Sequence, residues 1–156
     1  MNQDTKVDKQ RQKMSMRIEG MHCASCVASI EKSLLNQDGV ISATVSLLDE
    51  KAVIEYDKDR VDRMLLEKAI ESTGYRPRRA TMTITLTVSP TESQWIEIIK
   101  IISDLSGTID VHIFQDKNRI LVEYDEDLIT QKIVKRELGN LGYEVADSSV
   151  SSVDRE

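Results

Sequence analysis

The chain repeats itself, and this repeat limits the possible folds more than any other feature. The offset from Gly39 to its counterpart Gly107 is 68 residues, and the alignment continues without a gap on both sides. The matched residues include Met14 with Met82, Ile30 with Ile98, Ile41 with Ile109, Glu55-Tyr56-Asp57 with Glu123-Tyr124-Asp125, and Gly74-Tyr75 with Gly142-Tyr143. A single register held over this length indicates two copies of one unit of about 65 residues, near the lower size limit for a self-sufficient core.

Each copy has the same order of hydrophobic patterns. A stretch of alternating residues is followed by an amphipathic helical pattern, a hairpin pattern, a second helical pattern that ends before a glycine, and a short last strand. The residues of the first copy that we expect to face its core are Met14, Met16, Ile18, Val27, Ile30, Leu34, Ile41, Ala43, Val45, Leu47, Leu65, Leu66 and Ile70. The order βαββαβ predicts an α+β chain of two tandem ferredoxin-like domains, each a four-stranded antiparallel sheet with two helices on one face.

These patterns divide the chain into four segments. We predict a disordered tail over residues 1–13, a first domain over 14–79, a second domain over 80–147 and a disordered tail or linker over 148–156.

Composition and charge exclude several classes of protein. No apolar run approaches the ~20 residues that span a bilayer, and the charged N-terminus lacks the apolar segment of a secretory signal. The net charge is −6, and no basic stripe of the kind that binds nucleic acid is present. We therefore expect a cytosolic chain without a membrane segment and without nucleic acid as a partner.

Both cysteines of the chain lie in Gly20-Met21-His22-Cys23-Ala24-Ser25-Cys26, where the first strand is expected to meet the first helix. Cys23 is predicted to lie in the loop and Cys26 in the first helical turn. The free N–H groups and the positive end of the helix dipole then favour the thiolate form. Thiolates bind soft ions such as Cu(I) or zinc rather than magnesium or calcium, so this pair predicts one exposed site for a soft metal ion.

Two neighbours of the cysteines each allow more than one role. Met21 is expected to be a core residue that supports the loop, although thioether coordination is a possible role. His22 could supply a third ligand, yet its side chain is expected to point away from Cys23. Structural zinc usually requires four protein ligands. Besides Cys23, Cys26 and His22, the only other Cys or His in the sequence is His112. We expect His112 to be an exposed strand residue of the second copy, so a structural zinc site is disfavoured.

Two interpretations compete with metal binding. Thioredoxin-like proteins also place Cys-x-x-Cys between a strand and a helix, which would make the pair a redox site. The βαββαβ unit is too short for that fold, and Ala24-Ser25 replaces the usual residues between the cysteines. Two buried, inert cysteines are the other interpretation, which the glycine-flanked helix start disfavours.

Each copy resembles a heavy-metal-associated domain, and the first carries that family's Gly-Met-x-Cys-x-x-Cys motif from Gly20 to Cys26. The resemblance implies a Cu(I)-binding module that is not itself an enzyme. It would be either a small copper chaperone or the cytosolic N-terminal region of a copper-transporting P-type ATPase, and tandem copies favour the pump. Chaperones of this family often carry lysine where Tyr75 stands, whereas pump domains carry an aromatic residue. Zinc-selective members often carry aspartate at the position of His22.

The same resemblance implies partners and a mechanism. A copper chaperone, or another metal donor with a Cys-x-x-Cys pair, would hand over the ion by thiolate exchange, and other domains of the parent ATPase could also bind. Tyr75 is expected to pack over the site and limit solvent access. Silver, mercury, zinc and cadmium remain alternative ions, and a stand-alone metallochaperone remains an alternative function.

The second copy has lost this motif. The 68-residue offset places Thr91, Gln94 and Ser89 at the positions of Cys23, Cys26 and Met21. We therefore predict one Cu(I) per chain and a docking, spacing or regulatory role for the second copy. Residues 80–147 carry 6 Lys and Arg against 12 Asp and Glu, and residues 14–79 carry 10 against 11. The excess acidic charge could contact a basic partner or could be merely solvated.

Overall fold

The computed structural model describes residues 11–151 of the chain. These residues form two compact units that divide between Arg78 and Arg79, one residue before the predicted boundary. We call them unit 1, which ends at Arg78, and unit 2, which begins at Arg79.

Unit 1 contains four strands and two helices in the order βαββαβ. In chain order these are β1 (Arg11–Glu19), α1 (Ala24–Leu35), β2 (Val40–Ser46), β3 (Lys51–Asp57), α2 (Arg63–Glu71) and β4 (Arg76–Arg78). The strands form one sheet in the order β2-β3-β1-β4, and every neighbouring pair is antiparallel. The central strand β1 runs directly into the loop that carries the cysteines.

Unit 2 repeats this arrangement. Its elements are β5 (Ala80–Leu86), α3 (Glu92–Ser103), β6 (Thr108–Phe114), a 3-10 turn (Gln115–Lys117), β7 (Arg119–Tyr124), α4 (Gln131–Asn140) and β8 (Val145–Ser151). The strand order β6-β7-β5-β8 is equivalent to that of unit 1, and all pairs are again antiparallel. The prediction of two ferredoxin-like α+β domains is confirmed.

The core of each unit lies between its helices and one face of its sheet. Alternate residues of β1 and one stripe of each helix contribute the buried side chains, as the two periodicities require. The largest fully buried side chains of unit 1 are Met16, Ile18, Ile30, Leu34, Ile54, Leu66 and Ile70, and those of unit 2 include Met82, Ile84, Ile98, Ile102 and Ile120.

Three residues that were expected to face the core of unit 1 are exposed instead: Ile41, Leu47 and Leu65. A register shift between Val40 and Ser42 places an extra residue in β2, so Ile41 is turned out while Val45 stays buried. Leu47 lies beyond the end of β2. Leu65 precedes Leu66 by one residue, and neighbours on a helix lie about 100° apart, so both cannot face the core centre.

The repeat extends to details of the backbone. The Asp57 N–H donates to the Gly39 carbonyl at 2.8 Å, and the Asp125 N–H donates to the Gly107 carbonyl at the same distance. The register shift in β2 also recurs in β6, between Thr108 and Asp110. The local backbone geometry is therefore the same in both units. Differences in function between the units must then come from their side chains.

The predicted disorder at the two ends is wrong where strands extend into it. Arg11–Lys13 pair with β3 as the start of β1, and Ser148–Ser151 pair with β5 as the end of β8. Backbone hydrogen bonding to a neighbouring strand orders these polar segments, although their sequences bury little apolar surface. The rest of the two predicted tails, residues 1–10 and 152–156, lies outside the described residues.

Candidate functional site

The loop between β1 and α1 begins with a glycine that the backbone requires. Gly20 has φ +93°, a left-handed conformation that side chains disfavour. Added bulk would meet nothing closer than Tyr75 Cδ1 at 3.7 Å, so the requirement is for the backbone angle rather than for space. This turn redirects the chain from the central strand to the start of α1.

The two cysteines stand at the N-terminus of α1, as predicted. Cys23 is the exposed N-cap residue and its side chain makes no capping hydrogen bond, whereas Cys26 is buried in the first turn. Their sulfur atoms are 3.2 Å apart. Two sulfurs bound to one ion at about 2.3 Å each can be no more than about 4.6 Å apart, so this pair can contact a single ion.

Hydrogen bonds stabilise the thiolate form of Cys26 and lower its pKa. The Tyr75 hydroxyl donates to Cys26 Sγ at 2.6 Å, and this bond is the largest cause that lowers the pKa of Cys26 to about 6. The His22 backbone and the Cys23 side chain lower the pKa further, and burial opposes them. Cys26 is therefore mostly thiolate near neutral pH, which is the form that binds metal.

Tyr75 reaches the site from the other end of unit 1. It lies between α2 and β4, immediately before β4 and 49 positions after Cys26. Its half-buried side chain packs against the core of unit 1. Its bond to Cys26 raises the pKa of the phenol, with burial as a further cause. The hydroxyl consequently remains a proton donor while Cys26 is ionised.

The structure places the other predicted neighbours as follows. Met21 is buried in the core of unit 1, and the side chain of His22 is exposed. Sequence reasoning missed Ser25, whose hydroxyl lies 3.0 Å from Cys23 Sγ. A hydroxyl two residues after the cysteine at the N-cap position was the available signal. Within residues 11–151 no third His, Cys, Asp or Glu donor atom lies within 4.8 Å of both sulfurs.

Unit 2 uses the equivalent loop as an ordinary helix cap. Thr91 is the N-cap residue of α3, and its hydroxyl accepts from the Gln94 N–H while Gln94 Oε1 accepts from the Thr91 N–H. This capping box gives hydrogen-bond partners to backbone N–H groups at the helix N-terminus, through the two side chains that replace Cys23 and Cys26.

Two further residues of unit 2 lie at its surface. Ser89, which replaces Met21, is exposed. His112 lies exposed on β6, as predicted.

None of the helices among the described residues combines the length and apolar character needed to cross a bilayer.

Comparisons with known proteins agree on one family. The heavy-metal-associated domain family matches residues 15–76, which is nearly the whole of unit 1. The chain is 27% identical to the copper-transporting ATPase ccc2 of Schizosaccharomyces pombe, over 89% of this chain and 17% of that protein. It is 30% identical to a copper-exporting P-type ATPase of Staphylococcus aureus, over 92% of this chain and 18% of that protein. The chain thus spans less than a fifth of these curated relatives.

A solved structure covers both units. The water-soluble region of the P-type ATPase CopA from Bacillus subtilis is 25% identical, with a TM-score of 0.59 over 86% of this chain and 89% of that one. The matched structure is the water-soluble region of that ATPase, which agrees with the prediction of a binding module. Unit 1 of the chain belongs to the heavy-metal-associated domain family, unit 2 repeats its fold, and together they are similar to the N-terminal soluble domains of Bacillus subtilis CopA.

Proposed function

We propose that the chain binds one Cu(I) ion through Cys23 and Cys26 and passes it on by thiolate exchange. The observation that carries this proposal is the sulfur pair, 3.2 Å apart at an exposed helix N-terminus, with the pKa of Cys26 lowered to about 6. Copper is the cargo of such a site, not a resident cofactor. The names of the relatives, which are copper-transporting and copper-exporting ATPases, support the same ion.

Exposure of one sulfur and burial of the other suits transfer. Cys23 is open to an approaching donor, whereas Cys26 is held by the core and by Tyr75. An ion held by two sulfurs has room for a third, so a partner's thiolate can add before one of these two leaves. We propose that Cys23 makes and breaks the first bond during exchange.

Tyr75, Met21 and His22 support the two ligands in this proposal. The Tyr75 hydroxyl stabilises negative charge on Cys26 Sγ, and this bond must weaken when the same lone pairs bind the ion. Met21 anchors the loop in the core. The His22 backbone bonds to Cys26, while its exposed side chain is available as an outer contact.

Two sulfur donors favour Cu(I) over zinc. Cu(I) is a soft ion that thiolates select, while zinc usually takes four ligands in a tetrahedron. Zinc, cadmium or mercury binding and a stand-alone metallochaperone remain the alternative functions.

A thiol redox role is disfavoured by the position of the lowered pKa. Reactive cysteines combine a low pKa with solvent exposure. In this structure the thiol with the lowered pKa belongs to Cys26, which is only 8% exposed.

We further propose that the chain is the N-terminal region of a copper-transporting P-type ATPase on the cytosolic side of its membrane. A copper chaperone or another Cys-x-x-Cys protein would be the donor. Unit 2 would act in docking or regulation, toward that donor or toward other domains of the ATPase. The capping box at Thr91 and Gln94, together with the acidic surplus of residues 80–147, supports this division of labour.

A titration of Cu(I) against a competing chelator tests the binding site. We expect one tight site in the full chain and none in the Cys23→Ser/Cys26→Ser variant. The matched control is Thr91→Ser/Gln94→Ser, which changes the equivalent positions of unit 2 and should leave binding intact. A tight site that survives loss of both cysteines would contradict the proposal.

A second experiment tests transfer. Copper-loaded metallochaperone is mixed with the metal-free chain, and amide NMR signals of both proteins are followed. We expect the signals around Cys23 to move to their copper-bound positions and the donor to return to its metal-free spectrum. Retention of copper by the donor, under conditions where the chain alone binds Cu(I) tightly, would refute exchange as the function.

A further inference from the structure

Unit 2 contains three side chains of types that can bind a metal ion: Asp110, His112 and Glu123. They are separate from Thr91 and Gln94, which replace the two cysteines in this unit. Asp110 and His112 lie two residues apart on β6 and therefore on the same face of the sheet. Glu123 lies on β7 directly opposite Asp110. The buried neighbours Ile120, Val122 and Tyr124 occupy the other face of β7, so the three ligating side chains share the open face, away from the core.

The separations of the donor atoms match those around a single ion. His112 Nε2 lies 3.6 Å from Asp110 Oδ2 and 3.7 Å from Glu123 Oε2. All three donor atoms lie within 4.8 Å of one another. Nitrogen and oxygen ligands at about 2.0–2.2 Å from a tetrahedral zinc ion are about 3.3–3.6 Å apart, so only small side-chain adjustments are needed.

The charges of this group favour a cation. Asp110 and Glu123 are paired across two strands, and like charges in that position repel unless a positive charge lies between them. Arg79 contacts Glu123 Oε1 at 2.8 Å, which leaves Oε2 directed toward His112. The arginine therefore fixes the orientation of the carboxylate and occupies one of its two oxygens.

The equivalent positions of unit 1 have no such group. The 68-residue offset places Ser42 and Thr44 where Asp110 and His112 stand, with Glu55 at the position of Glu123. There the Ser42 hydroxyl donates to Glu55 Oε1 at 2.9 Å. The same sheet geometry is thus filled by an ordinary hydrogen bond in unit 1 and by three metal-ligating side chains in unit 2.

We propose that Asp110, His112 and Glu123 form a surface site for a divalent transition-metal ion in unit 2, separate from the cysteine pair. One imidazole and two carboxylates suit a borderline ion such as Zn²⁺ better than soft Cu(I), because the donor set contains no sulfur. The donors lie on adjacent strands, which hold them more rigidly than a loop would. Three protein ligands leave further positions open to water, so this site is weaker than a closed structural zinc site.

The test uses the full chain with Cys23→Ser and Cys26→Ser, so that the thiolate site cannot take up the probe. Zn²⁺ alone is added, and binding is measured by calorimetry and by imidazole and amide NMR signals. We expect one saturable site with shifts in His112 and along β6 and β7. His112→Gln should weaken zinc binding at least about tenfold, because it removes the only nitrogen donor. Zinc binding that is absent, or that leaves His112 unshifted, would overturn the proposal.

Matched variants separate a specific site from diffuse attraction to an acidic surface. His22→Gln removes the other histidine of the chain, and Asp116→Asn removes a charge four residues after His112 in the sequence and outside the group, so both should bind zinc as the parent does. Equal losses in His22→Gln and His112→Gln would contradict the assignment. In the same background, Ser42→Asp with Thr44→His should create a second zinc site in unit 1, beside Glu55. Because every variant lacks the cysteine pair, failure here leaves the proposed copper function untouched, and the reverse also holds.

Discussion

The Tyr75 hydroxyl donates a hydrogen bond of 2.6 Å to Cys26 Sγ, across 49 positions of the sequence of unit 1. The bond couples the segment after α2 to a thiol in the first turn of α1. This bond is the largest cause of the lowered pKa of Cys26. The effect of a Tyr75 substitution on that pKa should therefore be measurable without any metal present.

Tyr75→Phe should raise the pKa of Cys26 from about 6 toward the ordinary thiol value of about 8.5, since the hydroxyl is lost while the ring is kept. The measurement is the rate of alkylation by iodoacetamide as a function of pH, in a Cys23→Ser background so that only Cys26 reacts. Tyr143→Phe alters the equivalent tyrosine of unit 2 and serves as the control. An unchanged pH profile in Tyr75→Phe would show that this bond does not govern the ionisation of Cys26.

The stability of reduced, metal-free unit 1 should depend on pH through Cys26. Its folded-state pKa lies below the unfolded value, so the thiolate contributes stability that is fully present above about pH 8.5 and is lost as the pH falls through about 6. Urea unfolding followed by far-ultraviolet circular dichroism across this range measures the effect. Cys26→Ala should flatten the pH dependence over that window. An identical slope in the parent and the variant would assign the dependence to other groups.

The face of α3 that packs against the core can be tested by comparing two isoleucines of the same helix. Ile98 is fully buried, whereas Ile96 is 67% exposed. We expect Ile98→Ala to lower the free energy of unfolding by about 2–5 kcal/mol and Ile96→Ala to change it by less than about 0.5 kcal/mol. Trp95 is the single tryptophan and is buried in unit 2, so its fluorescence reports the unfolding of that unit. Equal effects of the two substitutions would mean that the helix is rotated.

Two glycines should respond to alanine with opposite signs. Gly20→Ala places a side chain on a residue with φ +93° and should cost about 1–2 kcal/mol. Gly139 lies inside α4 with open space around it, so Gly139→Ala should stabilise the chain by about 0.5–1 kcal/mol. Chemical unfolding of both variants decides the matter. A Gly20→Ala variant of unchanged stability would indicate that the loop between β1 and α1 can adopt another backbone conformation.

The two helix starts should also respond differently to similar changes. Thr91→Ala removes the capping box of α3 and should destabilise unit 2 by about 1 kcal/mol, as measured by Trp95 fluorescence. Cys23 makes no capping bond, so Cys23→Ser can add one and should leave metal-free unit 1 equally or more stable. Circular dichroism of the metal-free proteins tests this second expectation. A marked loss of stability in Cys23→Ser would show that the thiol is needed for folding as well as for metal.

The sequence by itself determined the two-unit organisation, the ferredoxin-like topology and the position of the cysteine pair. A repeat in one register, periodic apolar residues and a helix start are local signals, and they need no long-range information to be recognised. The same signals located the loss of both thiols at Thr91 and Gln94.

Only the tertiary structure decided which distant side chains meet. The bond between Tyr75 and Cys26 joins residues 49 positions apart, and the group of Asp110, His112 and Glu123 depends on the register of two strands. The register shift in β2 turned Ile41 outward, and strand pairing ordered Arg11–Lys13 and Ser148–Ser151. The physical reason is that strand register and cross-strand hydrogen bonds are set by the packing of the whole sheet, while the sequence pattern of each segment reports only its own preferred face.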